Sequence, residues 1–138
     1  MQLSDLNKQG FPTTPSIDEA LTDLLARLQA LESAYGSPFT VDSGLRSIAH
    51  QQAIYAQINA NRAASGLAPV AVPLGSRHLS GQAADIADVT GDLWAWCMGN
   101  IPILEVQNIY LEDRGYTPTW VHMQSVAPGS GKRIFIPY

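Results

Sequence analysis

The spacing of apolar residues changes along the chain, and this change limits the possible folds more than any other feature of the sequence. Near the N-terminus, leucines recur every three or four residues, which is the spacing of an amphipathic helix. They are Leu21, Leu24, Leu25, Leu28 and Leu31. The last third instead contains short apolar stretches at 106–112, 119–124 and 133–136, which are typical of strands. Helices followed by strands predict the α+β class.

Turn-forming and capping residues divide the first part of the chain. Ser16 and Glu19 have the spacing of a capping box, which predicts the start of the first helix, and Gly36 is expected to end it. Residues 1–15 lack this periodicity and end in a turn-rich stretch. We therefore expect an N-terminal arm at 1–15 and a single domain at 16–138.

Three further elements are expected in the middle of the chain. A second helix is predicted at about 49–61, a short strand at 83–87 and an apolar helix at 92–98. The segment DRGYTP separates the strands predicted at 106–112 and 119–124 and has the turn chemistry of a hairpin. These two strands are therefore expected to lie side by side.

Composition excludes several classes of protein. The chain has 138 residues, of which 46% are hydrophobic and 14% charged, and this suits one globular domain. Its net charge of −4 and lack of a basic run argue against nucleic acid as the main partner. The single cysteine, Cys97, excludes a disulfide scaffold and a Cys-rich zinc finger. We expect a monomer made in the cytoplasm, with no signal peptide and no membrane span.

The run SRHLSGQAADIAD at 76–88 carries the strongest chemical signal. His78 and Asp85 are seven residues apart, which is not the four-residue spacing of two ligands on one helix face. The spacing suits a loop followed by a strand, whose two ends fold around one point. Gly81 between them permits a tight path.

A second signal is the segment WVHMQ, in which strand alternation puts Trp120, His122 and Gln124 on one face. Taken alone, His122 is more often a buried, hydrogen-bonded histidine than a ligand. Together with His78 and Asp85 it completes two imidazoles and one carboxylate. Such a set makes a three-ligand zinc site with a fourth position for water, although iron(II) also suits it.

A hydrolytic zinc site needs a further carboxylate to take a proton from water and pass it to the leaving amine. Glu112 is our candidate, because it ends the predicted strand beside the one that carries His122. Asp113 is the alternative. Both acids could instead be solvated turn residues.

The order of these motifs resembles that of the zinc D-Ala-D-Ala carboxypeptidases and the phage L-alanyl-D-glutamate endopeptidases of the hedgehog/DD-peptidase superfamily. The residues that carry the resemblance are Ser76-x-His78-x-x-Gly81-x-Ala83-x-Asp85, followed by Trp120-x-His122. The segment SGLRS at 43–47 resembles the family's Ser-Gly-Tyr-Arg-Ser element, with Leu45 in place of tyrosine. The matches span about residues 39–124.

The resemblance implies a fold and a set of roles. The fold would be a small antiparallel sheet that carries a zinc site, with helices packed on one side. His78, Asp85 and His122 would be the zinc ligands, Arg46 would bind a backbone carbonyl or terminal carboxylate of the substrate, and Ser76 would hydrogen-bond substrate or a ligand. The implied substrate is a peptidoglycan stem peptide, cut by a carboxypeptidase or an endolysin-like endopeptidase.

One position departs from the family pattern and keeps alternatives open. Many members place the catalytic acid three residues before the last histidine, where this chain has Thr119. If Glu112 does not serve instead, the chain would be an inactive module that binds zinc or wall peptide, for example a phage structural component. A cysteine- or serine-based hydrolase is the third alternative. Without an export signal, we expect delivery to the wall by phage lysis or within a virion.

Overall fold

The computed structural model describes residues 1–137 and has an α+β fold, as the sequence predicts. Within that range the chain forms four α-helices, five strands and two short 3-10 helices. The α-helices are α1 (Pro15–Tyr35), α2 (Ile48–Ala64), α3 (Asp92–Gly99) and α4 (Ile101–Gln107). The strands are β1 (Val41–Ser43), β2 (Ala83–Ala87), β3 (Tyr110–Glu112), β4 (Trp120–Gln124) and β5 (Ile134–Phe135). The 3-10 helices are Leu3–Asn7 and Arg114–Tyr116.

The five strands form one sheet in the order β1-β2-β4-β3-β5. The pairs β1–β2, β2–β4 and β3–β4 are antiparallel, so the predicted adjacency of the strands on either side of DRGYTP is confirmed. The pair β3–β5 is parallel, and the sheet is therefore mixed rather than wholly antiparallel. The reason is topological: the chain reverses after β4 and returns to the free edge of β3, which itself runs opposite to β4.

Helix α1 begins and ends with clear local chemistry. Its N-cap is Thr14, whose side-chain oxygen accepts a hydrogen bond from a backbone N–H of the first turn, and Pro15 opens the helix. The predicted capping box at Ser16 and Glu19 is therefore wrong, because proline at the first position moves the start earlier. Gly36 ends the helix at φ 85°, as predicted.

The strand predicted at 106–112 is wrong in its first half, which belongs to α4. Pro102 lies in the first turn of this helix, and Asn108 ends it in the left-handed conformation at φ 52°. Val106 is 80% exposed on the helix surface. Only Tyr110–Glu112 forms the strand β3.

The two faces of the sheet have different environments. One face, which includes Ile86, Val121 and Met123, packs with the buried leucines of α1 and with Leu104 of α4 into the hydrophobic core. The other face carries the polar side chains described below. Helix α2 departs from this arrangement, since residues 46–82 contribute no member to that core within the described part of the chain.

The N-terminal segment is packed against the domain. Leu6 is fully buried, and its carbonyl accepts a hydrogen bond from the N–H of Leu45. A Cβ at Gly44 would lie 2.3 Å from that same carbonyl oxygen, so this approach requires glycine. The division into an arm at 1–15 and a domain at 16–138 stays a prediction.

No helix of residues 1–137 combines the length and the apolar character that a membrane crossing needs.

Candidate metal and catalytic site

His78, Asp85 and His122 meet on the polar face of the sheet. Asp85 of β2 lies directly opposite His122 of β4 in the strand register, and His78 comes from the loop before β2. All three side chains are buried, and one potential ligand atom from each lies within 4.8 Å of the others. The structure therefore brings together the three residues that the sequence selects as metal ligands.

The loop that carries His78 is positioned by Gly81. This residue has φ +74°, and a Cβ there would lie 3.0 Å from Leu21 Cγ and 3.2 Å from the carbonyl oxygen of Ile17. The glycine thus serves both the turn and the close approach of the loop to α1. This explains how His78 and Asp85, seven residues apart, can lie side by side.

The orientation of the His78 ring is fixed by the backbone. Nδ1 lies 2.8 Å from the carbonyl oxygen of Gly44. A carbonyl only accepts hydrogen bonds, so Nδ1 carries the proton and Nε2 of the neutral ring carries a lone pair. Nε2 lies 3.4 Å from Asp85 Oδ1, which also has only lone pairs when ionised.

The orientation of the His122 ring is fixed in a similar way, but in this ring Nε2 carries the proton instead of Nδ1. Gln124 donates through Nε2 to the carbonyl of Val126 at 2.7 Å, so its Oε1 is the atom 2.9 Å from His122 Nε2. That oxygen accepts from Nε2–H and leaves the lone pair on Nδ1. Nδ1 lies 2.9 Å from Asp85 Oδ1.

Lone pairs from three side chains therefore converge, and such an arrangement requires a cation among them. Protons on the imidazoles or a metal ion would satisfy it, and two imidazoles with one carboxylate suit a divalent transition metal. Burial opposes ionisation of Asp85, yet hydrogen bonds and charge from His122 and His78 outweigh it and lower its pKa. Burial also opposes the charge on His122, but the bond to Asp85 and its charge raise that pKa.

Arg46 contacts the second oxygen of the Asp85 carboxylate. Its Nη2 donates to Asp85 Oδ2 at 3.4 Å, its Nη1 to Gln51 Oε1 at 3.1 Å and its Nε to Ser43 Oγ at 2.9 Å. The guanidinium is thus held beside the cluster of His78, Asp85 and His122. Such outer hydrogen bonds orient ligand carboxylates and tune the metal they hold.

Gln51 is a buried residue of the site that the sequence reasoning missed. Its side chain is fully buried, accepts from Arg46 and donates through Nε2 to the carbonyl of Pro73 at 3.1 Å. A glutamine within a polar helix looks like a solvated residue, and the five-residue separation from Arg46 is the one signal that links them. It connects α2 to the loop that leads into His78.

Glu112 ends β3, beside the strand that carries His122, as predicted. Burial raises the pKa of this carboxyl, the nearby charge of Asp85 raises it further, and His122 acts in the opposite direction. Glu112 is therefore electrostatically coupled to the cluster. Asp113 has a different task, because its Oδ1 accepts from the N–H of Gly115 at 2.9 Å and caps the turn.

The remaining candidates lie at or outside the edge of the cluster. Ser76 Oγ accepts from the N–H of His78 at 3.3 Å, which places it beside this ligand. Thr119 is exposed, and its hydroxyl cannot take the role of a carboxylate. His50 packs on Phe11, away from the cluster. Burial, aided by the charge of Asp88, raises the pKa of the Cys97 thiol to about 12, which argues against a thiolate nucleophile.

Comparison with protein families identifies a relationship that covers more than half of the chain. The model of the family described as D-alanyl-D-alanine carboxypeptidase (VanY) matches residues 14–97. The matched segment contains Arg46, Ser76, His78 and Asp85, whereas His122 lies beyond it. Searches of curated proteins and of solved structures found no match.

Proposed function

The chain belongs to the D-alanyl-D-alanine carboxypeptidase family, and from this premise we propose that it is a zinc-dependent hydrolase of peptidoglycan stem peptides. The observation that carries the proposal is the convergence of lone pairs from His78 Nε2, His122 Nδ1 and Asp85 Oδ1. These are the atoms that would hold the ion. When bound, zinc supplies Lewis-acid chemistry, which polarises a carbonyl and makes water a better nucleophile at neutral pH.

Glu112 is the proposed general base. It would accept a proton from the attacking water and then donate it to the nitrogen of the leaving amine. In the metal-free protein the raised pKa of its carboxyl favours the first transfer, because a more basic carboxylate accepts a proton more readily. Its position at the end of β3 compensates for Thr119, which occupies the usual place of the acid.

Arg46 is the proposed anchor for the substrate. Three contacts hold its guanidinium, but each terminal nitrogen carries a second N–H that those contacts leave for a carbonyl or carboxylate oxygen. Ser76, beside His78, is proposed to add one hydrogen bond to the bound peptide. Both residues would orient the scissile bond rather than react.

The test is mass spectrometry of purified peptidoglycan fragments after incubation with zinc-loaded protein. We expect the wild type to cut a stem-peptide bond, a chelator to stop it, and Glu112→Gln to lower the rate roughly 10²- to 10⁴-fold. Zinc content of the variant should stay at one ion per chain. The matched control is Asp113→Asn, which makes the same change one residue away and keeps an oxygen for the turn.

The same fragments identify the reaction type. Loss of one C-terminal residue would identify a carboxypeptidase, and cleavage of a bond inside the stem peptide would identify an endopeptidase. Either result fits a role in wall lysis, and we propose that a phage delivers the protein to the wall. No cutting of any wall chemotype by a protein that still binds one zinc per chain would contradict hydrolysis.

Thr119 favours a second candidate, a zinc- or wall-peptide-binding module without activity. Its exposed hydroxyl stands where many members of the superfamily carry the catalytic acid. Under this alternative Glu112→Gln would change neither turnover nor peptide affinity. Measuring both properties on that variant therefore separates the two candidates.

A further inference from the structure

A cavity of about 270 Å³ lies between the N-terminal segment and the first turns of α2. Lys8 lines it from the N-terminal side, and Arg46 and His50 line it from the side of α2. Its volume is below the roughly 300 Å³ at which pockets for drug-sized ligands begin, so it suits a single residue of a longer ligand. Lys8 lies outside the segment that the family model matches.

The cavity adjoins the metal cluster through two shared residues. Arg46 lines the cavity and also donates to Asp85 Oδ2. Gly44 lines it as well, and its carbonyl accepts from His78 Nδ1. A peptide held at the cluster would therefore reach the cavity with a neighbouring residue.

Two cations and one acid line this cavity, a balance opposite in sign to the −4 of the whole chain. Lys8 and Arg46 are the cations, and Asp42, which is exposed, is the only acid among its lining residues within 1–137. Lys8 Nζ donates to the carbonyl of Val41 at 2.7 Å, which keeps the ammonium at this edge of the sheet. An ammonium has three N–H groups, so two of them are left for a ligand.

The imidazole of His50 adds a wall that is itself held in place. Its ring packs on Phe11 with centroids 5.3 Å apart, and its Nε2 lies 3.5 Å from Nε2 of Gln9. The N-terminal segment thus supplies Lys8 to the cavity and holds the ring of His50 in place through Gln9 and Phe11. A cationic cavity with a polar wall fits a small anionic group.

We propose that this cavity binds a free carboxylate that the stem peptide carries away from the cleaved bond, with Lys8 as its charged partner. This inference rests on the proposed function, since it assumes a stem peptide at the cluster. A glutamate linked through its side chain leaves its α-carboxylate off the peptide backbone, and that group has the required charge and size. Conversion of the same group to a carboxamide removes the charge with little change in shape.

The test uses two synthetic stem peptides that differ only in this group, one a carboxylate and the other a carboxamide. We expect the wild type to have a KM roughly tenfold lower for the carboxylate, because a charge-assisted hydrogen bond forms with that peptide alone. Lys8→Gln should abolish the difference by raising KM for the carboxylate without changing KM for the amide. Lys8→Arg keeps the charge and should retain the preference.

Lys132→Gln is the matched control, because Lys132 is the only other lysine of the sequence, is exposed and does not line the cavity. It should leave both KM values unchanged. A wild type without preference would overturn the inference, and so would a Lys8→Gln variant that weakens both peptides equally. The second result would mean that Lys8 only docks the N-terminal segment.

Failure of the proposed function gives a different result. If the zinc-loaded protein cuts neither peptide, calorimetry measures their binding instead. A preference for the carboxylate that Lys8→Gln removes would support the cavity assignment while hydrolysis fails. Equal binding of both peptides, or binding of neither, would overturn the cavity assignment.

Discussion

Helices α1 and α2 are similar in length but are held in the molecule by different forces. Helix α1 buries four leucines in the core, namely Leu21, Leu24, Leu28 and Leu31. Helix α2 buries a single side chain, and it is polar: Gln51. The first helix therefore supports the sheet, whereas the second is attached chiefly through hydrogen bonds near the cluster of His78, Asp85 and His122.

The attachment of α2 continues into the loop that follows it. Asn59 exchanges two hydrogen bonds with the backbone of Val70, at 3.0 and 2.8 Å. Arg62 donates to the carbonyl of Ala68, and Gln51 to that of Pro73. One helix thus contributes mainly to the stability of the fold and the other to the geometry around Arg46.

The largest expected effect is a loss of stability when a core leucine of α1 is truncated. Leu28→Ala removes a fully buried side chain from the core and should lower the free energy of unfolding by about 2–5 kcal/mol. Urea denaturation measures this change. Leu25→Ala, which truncates a half-buried leucine of the same helix, is the control and should cost less. Equal losses at the two positions would contradict the core assignment.

The second-largest effect is expected when the buried glutamine of α2 is truncated. Gln51→Ala removes the partner of Arg46 Nη1 and one of the two donors to the carbonyl of Pro73, and it should cost about 1–3 kcal/mol of stability. Its main consequence should be a higher KM, because Arg46 loses a contact that orients it. Gln52→Ala changes the exposed neighbour and should alter neither property. A stability loss with unchanged kinetics would show that α2 has no part in positioning Arg46.

The titration of Glu112 tests whether β3, which carries this residue, behaves independently of α2. Burial raises the pKa of this carboxyl, so the metal-free protein should lose the proton at a higher pH than an ordinary glutamate. Bound zinc adds positive charge and should lower that pKa again. Since a base must be ionised, kcat/KM of the loaded enzyme should fall as pH drops through the lower value.

Carbon-13 NMR of the side-chain carboxyl follows this titration, and Glu112→Gln identifies its signal. The same midpoint is expected in Gln51→Ala, because the side chain of Gln51 is hydrogen-bonded to Arg46 and Pro73 rather than to β3. A midpoint that moves with Gln51 would mean that α2 acts on the base as well.

The smallest effect concerns the loop after α2. Asn59→Ala removes both hydrogen bonds to Val70 and should cost about 1 kcal/mol locally, seen as faster hydrogen exchange in residues 65–75. Asn61→Ala is the control, because the side chain of Asn61 accepts only from Gln57 on the same helix. Equal hydrogen-exchange rates in the two variants would contradict the expectation that Asn59 stabilises this loop.

The sequence predicted those parts of the molecule in which local pattern and tertiary structure agree. The strand at 83–87 has its predicted bounds, and the cluster of His78, Asp85 and His122 forms as expected, because strand alternation puts the last two on one face. Roles of these residues, and that of Glu112, stay predictions. Their convergence needed only a loop, a glycine and two neighbouring strands.

The parts that were missed depend on contacts distant in sequence or on single backbone positions. Pro15 moved the start of α1, and the left-handed Asn108 separates α4 from β3 within one apolar stretch. The parallel pairing of β5 follows from where the free edge of β3 lies. Gln51 is buried by its hydrogen bonds with Arg46 and Pro73, and no periodicity in α2 indicates this.

The hydrogen bonds from His122 to Gln124 and from Gln124 to the carbonyl of Val126 put the two histidines in different tautomers. His78 presents Nε2 to the cluster and His122 presents Nδ1, because different carbonyl oxygens hold the other nitrogen of each ring. Metal binding should therefore shift the nitrogen-15 resonance of Nε2 in one ring and of Nδ1 in the other. The pair is thus spectroscopically asymmetric, and each ligand can be followed by its own nucleus while the ion enters or leaves.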